Sequence, residues 1–330
     1  MKIKMMKIFI FLICTVSLSA AGKKNIEEEN NAENINKPVK ERGIDRLNFY
    51  IPIKEKNKFS MSGEFEIRPD KNIYQWTMGE GYIDLGERWD FNYRIEKEFH
   101  EEKKRMKANY KVWDNDIFFT RLNDGFKIGE KQWSYRTLFG IKHSENEARI
   151  FKNDRIYKYY IGQRISVFSN KIGMGGTYIE AEGLVNGIAG AMRNGYSIQA
   201  SLKSGSALGY GFQWNNIFES EYMDYNQFEG AMRGKVESVF RWTYELGKNW
   251  AFSPEVNLKF EKYFSMKDNN YIIESTAGPY ILYSHELNEN TRILGKIGPV
   301  YRYERSRYGD MTDSKSHFTG YAKIGIEYIF

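Results

Sequence analysis

The chain holds one cysteine, Cys14, six prolines and four histidines in 330 residues. One cysteine excludes an internal disulfide framework and a thiolate metal site. No His, Cys, Asp or Glu spacing matches a zinc site or an EF-hand, so neither a metal nor a cofactor is expected. Gly173-Met174-Gly175-Gly176 lacks the following helix and lysine of a phosphate loop. Beyond the first 21 residues no apolar run approaches the roughly 20 residues that a membrane-crossing helix requires. No long window keeps a period of 3.6, which removes long amphipathic helices and coiled coils. The charge balance is mild at +6, and it gives little reason to propose nucleic acid as a partner.

Aromatic residues, by contrast, are plentiful: 24 Tyr, 22 Phe and 7 Trp. Glycine is common as well, with 29 residues, which suits many tight turns. The first seven residues carry Lys2, Lys4 and Lys7, an apolar run follows, and Ser19-Ala20-Ala21 closes it with small side chains. That is the three-part pattern of a secretory signal peptide over 1–21. Cleavage there removes Cys14 and three lysines, and the charge falls from +6 to +3. Residues 22–58 then read as a charged periplasmic leader. Its stretch 22–46 has no aromatic residue and six basic and six acidic side chains, too little apolar surface to fold alone.

From residue 59 to 330 the period is two. In residues 228–246 one face holds Phe228, Met232, Val236, Phe240, Trp242, Tyr244 and Leu246, while Glu229, Arg233, Lys235, Glu237, Arg241 and Glu245 take the other. Trp250, Phe252, Val256, Leu258 and Phe260 alternate with Ser253, Glu255, Asn257 and Lys259. Ile293, Ile297, Tyr301 and Tyr303 alternate with Arg292, Lys296 and Arg302, and Trp89, Phe91, Tyr93 and Ile95 with Asp90, Asn92, Arg94 and Glu96. At roughly 3.3 Å per residue such strands are long enough to cross a bilayer when tilted. Lipid offers no water to backbone groups, so a sheet there must close on itself. The pattern therefore predicts an all-β, closed antiparallel transmembrane barrel, with apolar residues facing lipid and charged residues facing a lumen. Candidate strands begin near 59, 73, 87, 105, 116, 132, 146, 156, 171, 195, 206, 228, 250, 271, 292 and 317. Pairs within 59–83 and 143–168 are the least distinct, which sets the count at 14–16, with fourteen preferred. Short periplasmic turns and longer outer loops are expected. The segments 182–195 and 305–317 are candidates to fold inward as a constriction. Pro254, Pro279 and Pro299 share the lipid face of three adjacent strands, and bulges are expected there.

The last strand runs Ala322, Ile324, Ile326, Tyr328, Phe330 at alternate positions and stops on the aromatic. This ending resembles the C-terminal signature of Gram-negative outer-membrane barrel proteins. The resemblance extends, as a class, over most of residues 50–330. The charged leader, the Lys/Asn/Ile-rich style and the size resemble fusobacterial-type major porins. What the resemblance implies is an outer-membrane location, surrounding lipid and lipopolysaccharide, and recognition of Phe330, Tyr328, Ile326 and Ile324 by the barrel-assembly machinery.

Function must be sought in the lumen. The inward candidates are Arg233, Lys235, Glu237, Arg241, Glu255, Lys259, Arg292, Lys296, Arg302, Lys323 and Glu327. A wall with both signs suits a water-filled pore for small hydrophilic solutes and ions, working without turnover. The plain alternative is that these charges pair with one another across strands. Barrel enzymes that modify lipid or cut peptides are a second reading, and a surface adhesin or structural barrel a third. For the enzyme reading, His143, His285 and His317 each neighbour a serine, but neighbours on a strand face opposite ways. Homo-oligomers are compatible with this reading, but no interface is legible.

Overall fold

Alternation of apolar and polar residues carries through almost every described segment, and it builds one sheet. The computed structural model describes residues 57–330 apart from 69–72, 102–108, 147–153, 172–174, 191–193, 226–227, 265–269 and 309–310. The expected signal peptide and nearly all of the expected leader lie outside the described residues. The strands are β1 (Lys58–Ile67), β2 (Ile73–Asp84), β3 (Trp89–Glu101), β4 (Asn109–Ile128), β5 (Lys131–Asn146), β6 (Asp154–Lys171) and β7 (Gly175–Gly190). They continue as β8 (Gly195–Gly209), β9 (Phe212–Tyr225), β10 (Phe228–Trp242), β11 (Trp250–Phe264), β12 (Tyr271–Glu286), β13 (Thr291–Tyr308) and β14 (Met311–Ile329). A short pairing of Tyr244 and Glu245 with Phe252 and Ala251 prolongs β10 past Thr243. There is no helix among the described residues.

Each strand pairs antiparallel with the next, and β1 pairs with β14 from Lys58–Ile329 to Ile67–Gly320. The sheet is thus a closed, fourteen-stranded antiparallel barrel. Closure pairs every strand on both sides, which is what a sheet needs where water cannot reach its backbone. The preferred count of fourteen holds. The starts near 105 and 116 are one strand, β4. Asn146, where a further start was expected, is the last residue of β5, and 147–153 lie outside the described residues. The polar run Asp114-Asn115-Asp116 reads as a turn in isolation, yet Asp114 and Asp116 take the ladder positions opposite Glu96 and Arg94.

Both proposed inward loops are also wall. Residues 182–190 belong to β7, and 305–308 and 311–317 belong to β13 and β14. The connections at that end span seven residues or fewer, so the contrast with the turns at the other end is smaller than expected. Long strands absorbed the residues that composition assigned to loops.

Outward positions carry the apolar set. Phe59, Met61 and Phe65 on β1, Val256, Leu258 and Phe260 on β11, and Phe318, Ile324, Ile326 and Tyr328 on β14 are all exposed. Inward positions are covered: Leu138, Tyr280, Leu282 and Val300 are buried, and so are Arg241, Lys296 and Glu327. The period breaks once in β10. Gly230, at φ 69°, sits in a register shift between Glu229 and Ala231. Phe228 therefore pairs with Tyr225 and Glu229 with Asp224, one place out of step with unbroken alternation. Glycine suits that position because its φ is left-handed.

The three prolines do not make bulges. Pro254 stands opposite Pro279 and Pro299 opposite Gly320, in ladders without a shift. The β12–β13 ladder holds one register on both sides of the prolines, from Ala277–Tyr301 to Ile281–Ile297. A proline removes a hydrogen-bond donor without adding a residue, so bonds are lost there while register is kept. The inward glycines beside them let the strands approach. A Cβ on Gly298 would lie 2.1 Å from the Pro279 carbonyl oxygen, and one on Gly278 would lie 2.4 Å from that of Pro299.

Candidate functional site: the inner wall

Two-residue alternation on a closed sheet leaves one place for charged side chains, the inside. All eleven candidates occupy inward ladder positions. Arg233 stands opposite Glu221, Lys235 opposite Glu219 and Arg241 opposite Glu255. Glu237 stands opposite Lys259, Lys296 opposite Lys323 and Arg292 opposite Glu327. Arg302 stands opposite Thr276 on β12 and His317 on β14.

The structure brings these charges into contact, in a recurring form. One carboxylate lies deep against the wall and two cations hold it. Arg241 donates to Glu255 through Nε at 3.0 Å and Nη2 at 2.7 Å, and Lys296 Nζ donates to both Glu255 oxygens at 3.2 and 3.1 Å. Lys296 Nζ also lies 3.9 Å from the centre of the Tyr280 ring. Glu327 is bound by Lys58 at 2.8 Å and approached by Arg292 at 4.0 Å. Glu66 takes Arg302 at 2.6 Å and Arg68 at 3.2 Å, and Glu221 takes Arg233 at 2.9 Å and Lys158 at 3.1 Å. Lys203 reaches Glu180 at 3.0 Å, with Arg164 at 3.7 Å. Side-chain exposure of these carboxylates is 10% or less, against 21–27% for Lys58, Lys158, Arg164 and Arg233. For four of the five the shorter glutamate lies at the wall and the longer bases fold over it, whereas Arg241 and Lys296 lie deeper than Glu255.

Several contacts run as chords over an intervening strand. Tyr160 on β6 donates to Asp116 on β4 at 2.8 Å, across Gly140 on β5. Lys296 on β13 reaches Glu255 on β11 across Gly278 on β12. Arg136 on β5 pairs with Asp90 on β3 across Thr120, which also donates to Asp90 at 3.1 Å. A small inward residue beneath each chord leaves room for it. These chords brace the cross-section, so for most of the charges the plain pairing reading is realised.

Sequence reasoning found the C-terminal half of this wall and missed most of the N-terminal half. Glu64, Glu66, Glu80, Asp114, Asp116, Arg136, Lys142, Lys158, Arg164, Glu180, Glu182 and Lys203 are inward too. The signal was present in the alternation. Splitting β4 at its polar run hid Asp114 and Asp116.

Each histidine–serine pair is divided between the faces. Ser144 donates inward to Asp114, while His143 lies outward with Asn115 Nδ2 at 3.5 Å from its Nδ1 and Tyr157 beside its ring. His285 is the outward residue near the end of β12, not part of a turn, with Asn249 at 3.2 Å. His317 is inward and Ser316 outward. No group of three metal-binding side chains occurs among the described residues.

No family model and no curated protein matches the chain. Among solved structures, the β domain of the Bordetella autotransporter BrkA is 12% identical, covering 83% of this chain and 99% of its own at a TM-score of 0.40. The CymD monoaromatic hydrocarbon channel is 10% identical, covering 84% and 89% at 0.46. An anion-selective porin from Comamonas acidovorans is 9% identical, covering 83% and 98% at 0.39. At such identities and TM-scores the likeness carries no argument about activity.

Proposed function

We propose that this protein is an outer-membrane porin that lets small hydrophilic solutes and ions diffuse through its lumen. One observation carries the reading. A closed barrel presents an apolar outer belt, aromatic at many strand ends, while nearly every mid-strand charge turns inward. A soluble barrel would need the opposite arrangement, because exposed apolar surface of this extent drives association in water. In lipid the same belt is satisfied, and a polar interior is the mark of a channel. The belt would contact membrane lipid and lipopolysaccharide. The terminal strand, with Ile324, Ile326, Tyr328 and Phe330 all outward, would be read by the barrel-assembly machinery. We propose no turnover, which the separation of each serine from its neighbouring histidine supports. The test is planar-bilayer conductance of the detergent-refolded chain starting at residue 22. Discrete, salt-dependent current steps are expected. A folded barrel that carries no current would end the porin reading.

A further inference from the structure

Most charges on the inner wall are cancelled by their neighbours. Arg164 and Lys203 answer Glu180 and Glu182, and Lys158 and Arg233 answer Glu221 and Glu261. Lys58 and Arg292 answer Glu327 and Glu286, and Arg68 and Arg302 answer Glu66 and Glu304. Arg136–Asp90, Lys259–Glu274 and Lys323–Glu64 are one-to-one, and Arg94 pairs with Glu96. Two triads are unbalanced and opposite in sign. Arg241 and Lys296 share Glu255, while Lys235 lies between Glu219 and Glu237. The positive triad is sealed in the wall, with Arg241 and Lys296 side chains 1% and 3% exposed.

Among the described residues, what remains along the strands lies on β2, β4 and β5. Glu80 is met by the Ser60 hydroxyl at 3.4 Å, Asp116 by the Tyr160 hydroxyl at 2.8 Å, and Asp114 by the Ser144 hydroxyl. Among the described residues no ion pair reaches any of the three. A hydroxyl holds a carboxylate in place without cancelling its charge. Glu80 and Asp116 flank Arg94, one cation that also pairs with Glu96 and so is shared among three carboxylates. Asp114 stands opposite Glu96, one carboxylate against another. Lys142, opposite Asp116, answers one of the three, and two negative charges are left over. They lie along the strands rather than at the turns, where any solute crossing the barrel must pass.

We propose that the lumen passes cations in preference to anions and that Glu80, Asp114 and Asp116 set that preference; the inference rests on the porin reading above. Uncancelled wall charge of one sign raises the local concentration of counter-ions, and low-dielectric walls focus its field. The effect is strongest when the screening length, about 10 Å at 0.1 M salt, is comparable to the distance from wall to axis.

The experiment is the reversal potential of the refolded chain in planar bilayers across a dilute KCl gradient. The expected result is a cation-over-anion permeability ratio of roughly tenfold, the lower end of what charged clefts achieve. Glu80→Gln, Asp114→Asn and Asp116→Asn, combined in one chain, should bring the ratio to near unity. Asp114→Glu, which keeps the charge, should leave it unchanged. The amides are nearly isosteric and can still accept from the same hydroxyls, and β circular dichroism confirms that each variant is folded. Current with no preference, or with an anion preference, overturns this inference while leaving a pore. So does a triple variant with the selectivity of the parent. Absence of any current removes the porin reading, and the inference with it.

Discussion

Glu255 shows what a charge needs in order to remain in this wall. Its carboxylate accepts from Arg241 and Lys296 at 2.7–3.2 Å, with both bases nearly sealed from solvent. Removing the acid would leave two buried cations side by side. Glu255→Gln should cost about 3–5 kcal/mol, the range for breaking a buried pair from one side. The readout is the urea midpoint of the refolded barrel in lipid vesicles, and a loss under 1 kcal/mol would show the triad to be hydrated. Gly298 is decisive for the opposite reason. It lies between Tyr280 and Tyr321, whose rings meet edge-on at 5.5 Å, and a Cβ there meets the Pro279 carbonyl. Gly298→Ala should destabilise by roughly 1–3 kcal/mol, as overpacking does. Gly320→Ala, with nothing within 4 Å of its added carbon, is the matched control and should be neutral. Alternation alone marks Gly298 as inward. It does not show that two rings converge above it, because those rings come from strands on either side.

At the scale of elements, alternation placed the strands and misjudged their ends. Polar runs inside β4 and β14 resemble loops in one dimension because loops and lumen-facing positions draw on the same residues. The hydrogen-bond ladder distinguishes them, since Asp114 and Asp116 are opposite Glu96 and Arg94 whatever their polarity. The three prolines were assigned the right face and the wrong effect. A bulge needs an extra residue, and a missing donor supplies none. Turns are no easier to place. A turn expected at Lys203–Ser206 lies within β8, and only Tyr210 and Gly211 remain between β8 and β9, both with positive φ, 51° and 81°. That is the two-residue hairpin whose twist matches its strands. Gly211 also lies under the Thr243 carbonyl, 2.1 Å from where a Cβ would sit. Gly211→Ala should slow refolding into vesicles and lower the yield of folded barrel, measured as the heat-sensitive gel band. Gly247→Ala, in a turn with open space around it, should do neither.

For the whole molecule, the side of the barrel that faces lipid decides which substitutions matter. Ile324 is 61% exposed on β14, and Arg at an exposed site on a water-soluble protein would be nearly neutral. In a bilayer it should cost about 2–4 kcal/mol when near the midplane. Ile324→Arg should therefore lower folding stability in vesicles by that amount, with much less effect in a short-chain detergent that can rearrange around the charge. Equal stability in both media would mean that the belt does not contact lipid. Closure is the other whole-molecule property. The inward charged residues of β1, Lys58, Glu64 and Glu66, all reach β13 or β14 across the seam. The first and last strands of the chain are thus tied by ion pairs as well as by their ladder.

The sequence by itself determined that this chain forms strands with one apolar and one charged face, and that such strands must close on themselves in lipid. Both follow from local periodicity and from the absence of water as a partner for backbone groups. It also determined which residues of β11, β13 and β14, and of β10 beyond Gly230, face inward, because parity is a property of each unbroken strand alone. Only the tertiary structure decided the strand ends, the break in parity at Gly230, the unbulged row of prolines and the pairing of charges. Those depend on the register between strands far apart in the chain. The same register determines which carboxylates keep their charge, because a base on one strand can cancel an acid two or three strands away, as Lys158 does for Glu221.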